Sequence, residues 1–235
     1  MHRRAPRHRL GVDAASIFAL VTVGGLVALV LAERSGSMLR WVAKPIASAG
    51  FVALAFSSEA HSTYSIWVRI ALVLSALGDL ALLFRGRKSA DPTERSRGKV
   101  AFLVGLSSFL LAHVAFSIAF ISRGQAPAVL GGALMFFAVT GAVVLRWLRP
   151  HVESKLFGPV LAYVLALSFM AASAIGTHGA SADRIIPIAA AAFWLSDLSV
   201  ATDVFVRSSF SNKAWGLPLY YVAQLLFAFS IASNG

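Results

Sequence analysis

The sequence predicts an all-α integral membrane protein, a polytopic bundle of about eight transmembrane helices. Its 235 residues are 58% hydrophobic, with a mean hydropathy of +0.76, whereas soluble domains are about 45–50% apolar. Apolar runs of membrane length recur along the chain, and charged residues collect between them. Because a helix rises about 1.5 Å per residue, these runs are long enough to cross about 30 Å of hydrocarbon. We expect a multi-pass protein of a plasma or inner membrane.

Eight spans can be placed, joined by short connections. The first follows a basic tail, residues 1–11, and is longer than the apolar core of a signal peptide, about 7–15 residues, so we expect it to be retained. The longest connection, residues 85–99, is strongly charged and carries Pro92, which predicts a solvated loop. No stretch suits a separate soluble domain, so residues 1–235 are expected to form a single domain. The predicted spans are 12–32, 39–58, 67–84, 100–121, 127–147, 155–175, 184–206 and 215–233.

The formal net charge of +11 does not indicate nucleic-acid binding. The basic residues are spread over short connections, where they would lie beside anionic lipid headgroups. The chain has no cysteine, which excludes disulfides, thiolate metal sites and cysteine nucleophiles. His113 is a single histidine inside an apolar run, which is too few for a histidine-rich zinc site. We therefore expect the lipid bilayer as a partner, and neither a metal nor a cofactor.

Two carboxylates lie inside apolar runs. Asp79 is within residues 72–84 (LVLSALGDLALLF), and Asp197 is within residues 188–200 (IAAAAFWLSDLSV). An ionised carboxylate at mid-membrane costs about 2.5–3.5 kcal/mol on insertion scales. A chain that keeps two such groups is expected to use them, so these aspartates are the first candidates for chemistry.

The two aspartates also suggest an internal repeat. Residues 77–80 (LGDL) in the third span resemble residues 195–198 (LSDL) in the seventh. Each motif lies in the third span of a four-span half. Four crossings return the chain to its starting side, so such halves would be parallel repeats, related by an axis along the membrane normal. The repeat would place both aspartates at similar depth.

Three further polar groups lie at a similar depth, toward the odd-numbered connections. Lys44 comes early in the second span, and Tyr220 and Tyr221 open the eighth. The two aspartates lie toward the same ends of their own spans. We therefore expect these five groups to share a cavity in one half of the membrane.

The fourth and eighth spans carry additional candidates. Aromatic rings and one histidine recur in the fourth span at intervals of three or four residues, which places them along one stripe of a helix. Gln224 follows Tyr220 and Tyr221 by one turn, and Ser196 directly precedes Asp197. The stripe in the fourth span includes Phe102, Phe109, His113 and Phe116.

The order of these motifs resembles the YhhN-like lysoplasmalogenase family of eight-span membrane proteins. The resemblance runs from the second span to the C-terminus. One departure is Phe116, at a position one turn after the histidine where the family commonly has tyrosine. The motifs that carry the resemblance are Lys44-Pro45, Gly78-Asp79, Phe102, Gly105, Phe109, Ala112-His113, Phe193, Ser196-Asp197, Ala201, Phe205, Tyr220-Tyr221 and Ala223-Gln224.

The resemblance implies that the protein hydrolyses the vinyl ether bond of lysoplasmalogens. The products would be a fatty aldehyde and a glycerophospho-base, and a lysophospholipid would be the substrate. The residue chemistry suits this reaction, because protonation at carbon followed by water attack asks for one acid and one base or anion. Glycosidases use two carboxyl groups in these two roles.

The hypothesis assigns a role to each candidate residue. Asp79 and Asp197 form the acid–base pair, in either order, and His113 orients one of them or relays a proton. Lys44 binds the substrate phosphate. The remaining groups contact the glycerol or border the alkenyl chain, and they are Tyr220, Tyr221, Gln224, Ser196, Phe102, Phe109 and Phe116.

Two alternatives stay open. A proton-coupled transporter or lipid flippase would use the same carboxylates to carry protons. A hydrolase of another lysolipid would use them on a different bond, because a fold does not fix its substrate.

Overall fold

A computed structural model describes residues 14–85 and 91–234, which form eight α-helices and two short helical turns. The prediction of an all-α bundle is confirmed, with no strand in the described part of the chain. A 3₁₀ turn, Arg149–His151, follows the fifth helix, and a π-helical turn, Thr202–Val206, follows the seventh. The helices are α1 Ala14–Ser35, α2 Arg40–Phe56, α3 Thr63–Leu83, α4 Pro92–Ser122, α5 Pro127–Leu148, α6 Ser154–Ser181, α7 Ile185–Ala201 and α8 Phe210–Asn234.

Seven of the described helices are long and apolar enough to cross a membrane. The eighth, α2, has 17 residues and at about 1.5 Å per residue is about 25 Å long, slightly short of the hydrocarbon layer. Large apolar side chains are exposed along the outer faces of the bundle, as on α1 and α5. A water-soluble protein rarely exposes so much contiguous apolar surface. The chain is an integral, multi-pass membrane protein.

The packing of the helices repeats between the two halves of the chain. Within each half the first helix packs on the second, the second on the third, and the third on the fourth. Between the halves, α2 packs on α8, and α6 packs on α4. Each of these contacts therefore has a counterpart when α1–α4 are exchanged with α5–α8, whereas the packing of α8 on α1 and on α3 has none of similar extent. This pattern is the one expected of a parallel repeat, although the duplication itself stays a prediction.

Helix α4 begins eight residues earlier than the sequence predicted. Asp91 caps it, since its side chain accepts a hydrogen bond of 2.8 Å from the backbone N–H of Thr93, and Pro92 occupies the first turn, where its missing N–H costs nothing. Residues 92–99 are thus helical rather than part of a loop. The proline that suggested a loop marks a helix start instead. Within the predicted loop, residues 86–90 lie outside the described residues.

The core between the helices is rich in aromatic rings. Phe116 packs against Phe227 with ring centroids 4.3 Å apart, and Phe120 and Phe193 also contact Phe227. All four side chains are fully buried. This cluster joins α4, α7 and α8, the helices that carry His113, Asp197 and Tyr220.

Candidate active site

A cavity of about 120 Å³ lies within the bundle, and both aspartates line it. Its walls come from every helix except α1, and they are mainly leucine, valine and phenylalanine. Its apolar walls and few polar groups suit the part of an amphipathic ligand near the boundary between its polar and apolar ends, since the volume is below the roughly 300–1,000 Å³ that encloses a whole small molecule. The charged and hydroxyl-bearing residues that line it are Lys44, Asp79, Tyr163, Asp197 and Tyr220.

Asp79 is held by three side chains from two other helices. Its Oδ1 lies 3.0 Å from Nζ of Lys44. Its Oδ2 accepts hydrogen bonds from the hydroxyls of Ser48, at 2.6 Å, and Tyr220, at 2.9 Å. The carboxyl is almost fully buried, so these donors replace the water that an ionised group would need. The surroundings of Asp79 are those of a carboxylate anion.

Local sequence explains how α2 and α3 reach this geometry. Lys44 and Ser48 are four residues apart on α2, which places them one above the other on a single helix face. On α3, Gly78 allows close approach of the neighbouring helix. A Cβ atom at that position would lie 2.6 Å from a ring carbon of Phe109. The phenyl ring therefore fits against α3 because residue 78 has no side chain.

Asp197 has different neighbours. Its Oδ2 accepts a hydrogen bond of 2.9 Å from the hydroxyl of Tyr163, and Nε2 of His113 lies 3.6 Å from the same oxygen. Neither ring nitrogen of His113 makes a hydrogen bond with any described residue. The ring is fixed by aromatic contacts instead, with centroids 5.0 Å from those of both Tyr163 and Phe193. Across residues 14–85 and 91–234, no lysine or arginine pairs with Asp197.

Each aspartate forms a carboxyl cluster with the side chains that contact it, and each cluster draws on both halves of the chain. The helices that contribute correspond to one another when α1–α4 are exchanged with α5–α8. Asp79 on α3 is contacted from α2, in its own half, and from α8, in the other half. Asp197 on α7 is contacted from α6, in its own half, and from α4, in the other. Both aspartates accept a hydrogen bond from a tyrosine, but Asp79 also contacts a lysine and a serine, whereas Asp197 contacts a histidine.

The other predicted residues are divided between the cavity and the core. Phe102 and Phe109 line the cavity, whereas Phe116 lies in the aromatic core. The hydroxyl of Tyr221 is 3.4 Å from that of Ser48, at the edge of the Asp79 cluster. Ser196 donates a hydrogen bond to the carbonyl of Phe193 on its own helix.

Gln224 on α8 is a buried polar side chain without a hydrogen-bond partner among the described residues. Its side chain is fully buried, and neither its amide oxygen nor its nitrogen makes a hydrogen bond with any described residue. Buried polar atoms usually have partners. Gln224 lies one turn beyond Tyr220 and Tyr221, on the side of the helix that they occupy.

Sequence reasoning missed two side chains that contact the carboxyls, Ser48 and Tyr163. One weak signal was available for both, because each follows a proline by three or four residues in the second helix of its half. Pro45 precedes Ser48, and Pro159 precedes Tyr163. This signal is too weak to have selected them by itself.

The side chains that could ligate a metal do not form a metal centre in the described part of the chain. No group of three histidine, cysteine, aspartate or glutamate side chains is close enough there to hold an ion. The cavity wall instead offers two carboxyl groups, an ammonium and two phenols, and an imidazole lies next to one of the carboxyl groups.

Fold and site together define a multi-pass helical membrane protein with paired intramembrane carboxyl groups. A model of the YhhN family matches residues 39–231, and the chain belongs to that family. This confirms the resemblance seen in the sequence. The match begins within the connection before α2, so α1 lies outside it.

Several similar proteins have names that state an enzymatic activity. The chain is 30% identical over 159 residues to a lysoplasmalogenase of Mycobacterium bovis, covering 66% of this chain and 55% of that protein. It is also 30% identical to lysoplasmalogenase TMEM86B of Mus musculus and to lysoplasmalogenase TMEM86A of Homo sapiens, with 70% of this chain covered in each case. The matches span 62% and 65% of those two proteins. No solved structure matches the chain.

Proposed function

We propose that this protein is an ether hydrolase that cleaves the vinyl ether bond of lysoplasmalogens, releasing a fatty aldehyde and a glycerophospho-base. The observation that carries the proposal is that two carboxyl groups with different partners line one apolar cavity. The names of the relatives agree with this substrate. The apolar walls suit part of the single chain of a lysophospholipid, and the remainder of that chain would extend into the surrounding membrane.

The partners of the two aspartates support a division of labour. Asp79, with an ammonium and two hydroxyl donors, is suited to act as the carboxylate. Asp197 accepts one hydroxyl hydrogen bond and has no lysine or arginine partner among the described residues, so it is suited to carry the proton. In this assignment Asp197 is the general acid, and Asp79 is the base that also stabilises the cation.

The reaction then proceeds in balanced steps. Asp197 donates its proton to the outer carbon of the double bond, which leaves an oxocarbenium ion whose charge is shared by the inner carbon and the ether oxygen. Water attacks that ion, and Asp79 takes the proton that the water loses. The hemiacetal collapses to the aldehyde while its hydroxyl proton moves to the departing glycerol oxygen. Return of one proton from Asp79 to Asp197 restores the starting state.

The remaining residues support this pair. His113 and Tyr163 orient Asp197, and Tyr220 holds Asp79 in place with its hydrogen bond. Lys44 neutralises the charge of Asp79. Because the Lys44 ammonium lies 3.0 Å from that carboxylate, Lys44 is poorly placed to bind a phosphate.

The apolar lining and the rest of α8 complete the assignment. Phe102 and Phe109 border the alkenyl chain in the cavity. Tyr221 and Gln224 are fully buried and do not line the cavity, so they support the packing of α8 beside Asp79. Phe116 and Ser196 contribute to packing, because both are buried beside other groups and away from the cavity wall.

The direct test measures aldehyde release from a lysoplasmenylethanolamine by the purified protein in detergent. We expect Asp79→Asn and Asp197→Asn each to lower the turnover rate by about 100-fold or more, as for loss of a general acid or base. Glu94→Gln is the matched control, since Glu94 is an exposed carboxylate in the first turn of α4. Rates near that of the wild type in both aspartate variants would rule out the pair as catalysts.

The same preparation tests the two alternatives. A panel of vinyl ether, alkyl ether and acyl lysolipids identifies the bond that is cleaved, and cleavage of the acyl lipid alone would establish another lysolipid hydrolase. Wild-type protein that releases no product but moves lipid or protons across vesicle membranes would instead establish transport.

A further inference from the structure

Arg85, at the end of α3, lies beside a phenyl ring that lines the cavity. The guanidinium carbon of Arg85 lies 5.8 Å from the ring centroid of Phe102. Phe102 in turn packs edge-to-face against Phe205, with centroids 6.0 Å apart. Both rings line the cavity, so Arg85 stands at its edge, beside the end of the bundle where α3 finishes.

Arg85 is a partly buried cation with unused donors. Its guanidinium makes no hydrogen bond or ion pair with residues 14–85 or 91–234, although five N–H groups are available. Burial lowers the pKa of Arg85, while the nearby charge of Asp203 acts in the opposite direction. A guanidinium that is partly removed from water and has no acceptor among the described residues is suited to bind an anion.

The neighbouring charges leave Arg85 available. The Oδ1 atom of Asp203 is already engaged, since it accepts hydrogen bonds from the hydroxyl of Ser208 at 2.9 Å and the backbone N–H of Ser209 at 3.0 Å. Lys44 is paired with Asp79, and Lys99 lies 3.6 Å from Glu153. Arg85 therefore differs from the two lysines in having no carboxylate within ion-pair distance among the described residues.

The distance to the carboxyl pair matches a lysophospholipid. Arg85 follows Asp79 by six residues, which corresponds to about 9 Å along a helix at about 1.5 Å per residue. In a lysoplasmalogen, six bonds separate the phosphorus from the carbon that water attacks, for which Asp79 is the proposed base. An extended chain of six bonds of about 1.5 Å spans about 8 Å once the zigzag is allowed for.

We propose that Arg85, packed on Phe102 at the cavity edge, binds the phosphodiester of the substrate and so fixes how deeply the vinyl ether enters. This subsite rests on the proposed hydrolase function, and it replaces Lys44 as the phosphate ligand. Phe102 serves two purposes there, because one ring supports the guanidinium and also borders the alkenyl chain.

The test separates binding from catalysis by using saturated ether lipids, which lack the double bond that must be protonated. The probes are a 1-O-alkyl-glycerophosphoethanolamine and the matching 1-O-alkyl-glycerol without phosphate, titrated against the purified protein in detergent. We expect Arg85→Gln to weaken binding of the phospholipid by about 10-fold to 100-fold, the cost of a lost charged hydrogen bond. Binding of the alkyl-glycerol should not change.

Two further variants sharpen the result. Arg207→Gln is the control, since Arg207 is an exposed arginine four residues after Asp203, and we expect wild-type binding of both probes. Arg85→Lys keeps the charge without the planar fork and should give an intermediate loss for the phospholipid. It also tests a variant that retains a cation, should Arg85→Gln fold poorly.

The outcomes distinguish the two proposals. Equal affinity of the wild type and both Arg85 variants for the phospholipid would overturn the subsite, even if aldehyde release proves the hydrolase function correct. A selective loss for the phospholipid would support the subsite, even if no aldehyde is released and the hydrolase proposal fails. Equal weakening of both probes would also overturn it, because Arg85 would then act on the cavity and not on the phosphate.

Discussion

Asp79 and Lys44 form the closest opposite-charge contact on the cavity wall, with 3.0 Å between Oδ1 and Nζ. Two charges this deep in a membrane protein are tolerated because each satisfies the other, and Ser48 and Tyr220 supply the remaining donors. The contact explains why a lysine is found early in α2, close to hydrocarbon depth. It also makes the pair interdependent.

This interdependence predicts a double-mutant effect. Lys44→Met leaves an uncompensated carboxylate, and breaking a buried pair in this way costs about 3–5 kcal/mol. At about 2–4 °C per kcal/mol, we expect the apparent melting temperature in detergent to fall by at least about 5 °C. Adding Asp79→Asn to Lys44→Met removes the stranded charge and should restore much of the loss.

The measurement is thermal unfolding of the purified variants, followed by tryptophan fluorescence. Lys155→Met serves as the control, since Lys155 is an exposed lysine near the start of α6. A double variant less stable than Lys44→Met would contradict the pairing, because the two losses would then be additive.

At the scale of single helices, the contact between α3 and α4 depends on a missing side chain. Gly78 is followed directly by Asp79, and the ring of Phe109 fills the space that a Cβ atom would occupy. Phe109 also contacts Tyr220, with centroids 5.9 Å apart. The packing of these two helices therefore affects the hydroxyl that binds Asp79.

Gly78→Ala should be destabilising although alanine is the better helix former. The new methyl group would lie 2.6 Å from a ring carbon of Phe109, and such overpacking costs about 1–3 kcal/mol. We expect a lower melting temperature together with reduced turnover. The matched control is Gly131→Ala in α5, where nothing lies within 4 Å of the added methyl group.

The control should behave in the opposite way. Alanine is favoured over glycine in a helix by about 1 kcal/mol, so Gly131→Ala should leave stability unchanged or raise it. Equal behaviour of the two alanine variants would show that the close approach of Phe109 to α3 does not constrain the site.

At the scale of the whole molecule, neither half of the chain contains a complete carboxyl cluster. Asp79 needs Tyr220 from the second half, and Asp197 needs His113 from the first. The interface between α4 and α6 and that between α2 and α8 hold the halves together. Activity should therefore require both halves in contact.

A split protein tests this dependence. Gly124 lies in the turn between α4 and α5 with a φ of +88°, so a break after it falls between the halves. We expect residues 1–124 and 125–235 to copurify from membranes when expressed together and to release aldehyde. Each fragment expressed alone should be inactive. Activity of either fragment by itself would contradict the requirement that each carboxyl cluster include a side chain from the other half.

The sequence by itself determined that this is a helical membrane protein, and it identified Asp79, Asp197, Lys44, His113 and Tyr220 as candidates. It did so because the hydrocarbon layer imposes a length on each helix, and because a charge within that length costs enough free energy to stand out. The family followed from the order of the same residues.

Only the tertiary structure decided which of these residues touch. The pairing of Lys44 with Asp79, the placement of Tyr163 and Ser48 against the carboxyls, and the burial of Phe116 away from the cavity all depend on how helices rotate and approach one another. The physical reason is that periodicity fixes which residues share a helix face, whereas the neighbour of that face is chosen by close packing between segments far apart in the chain.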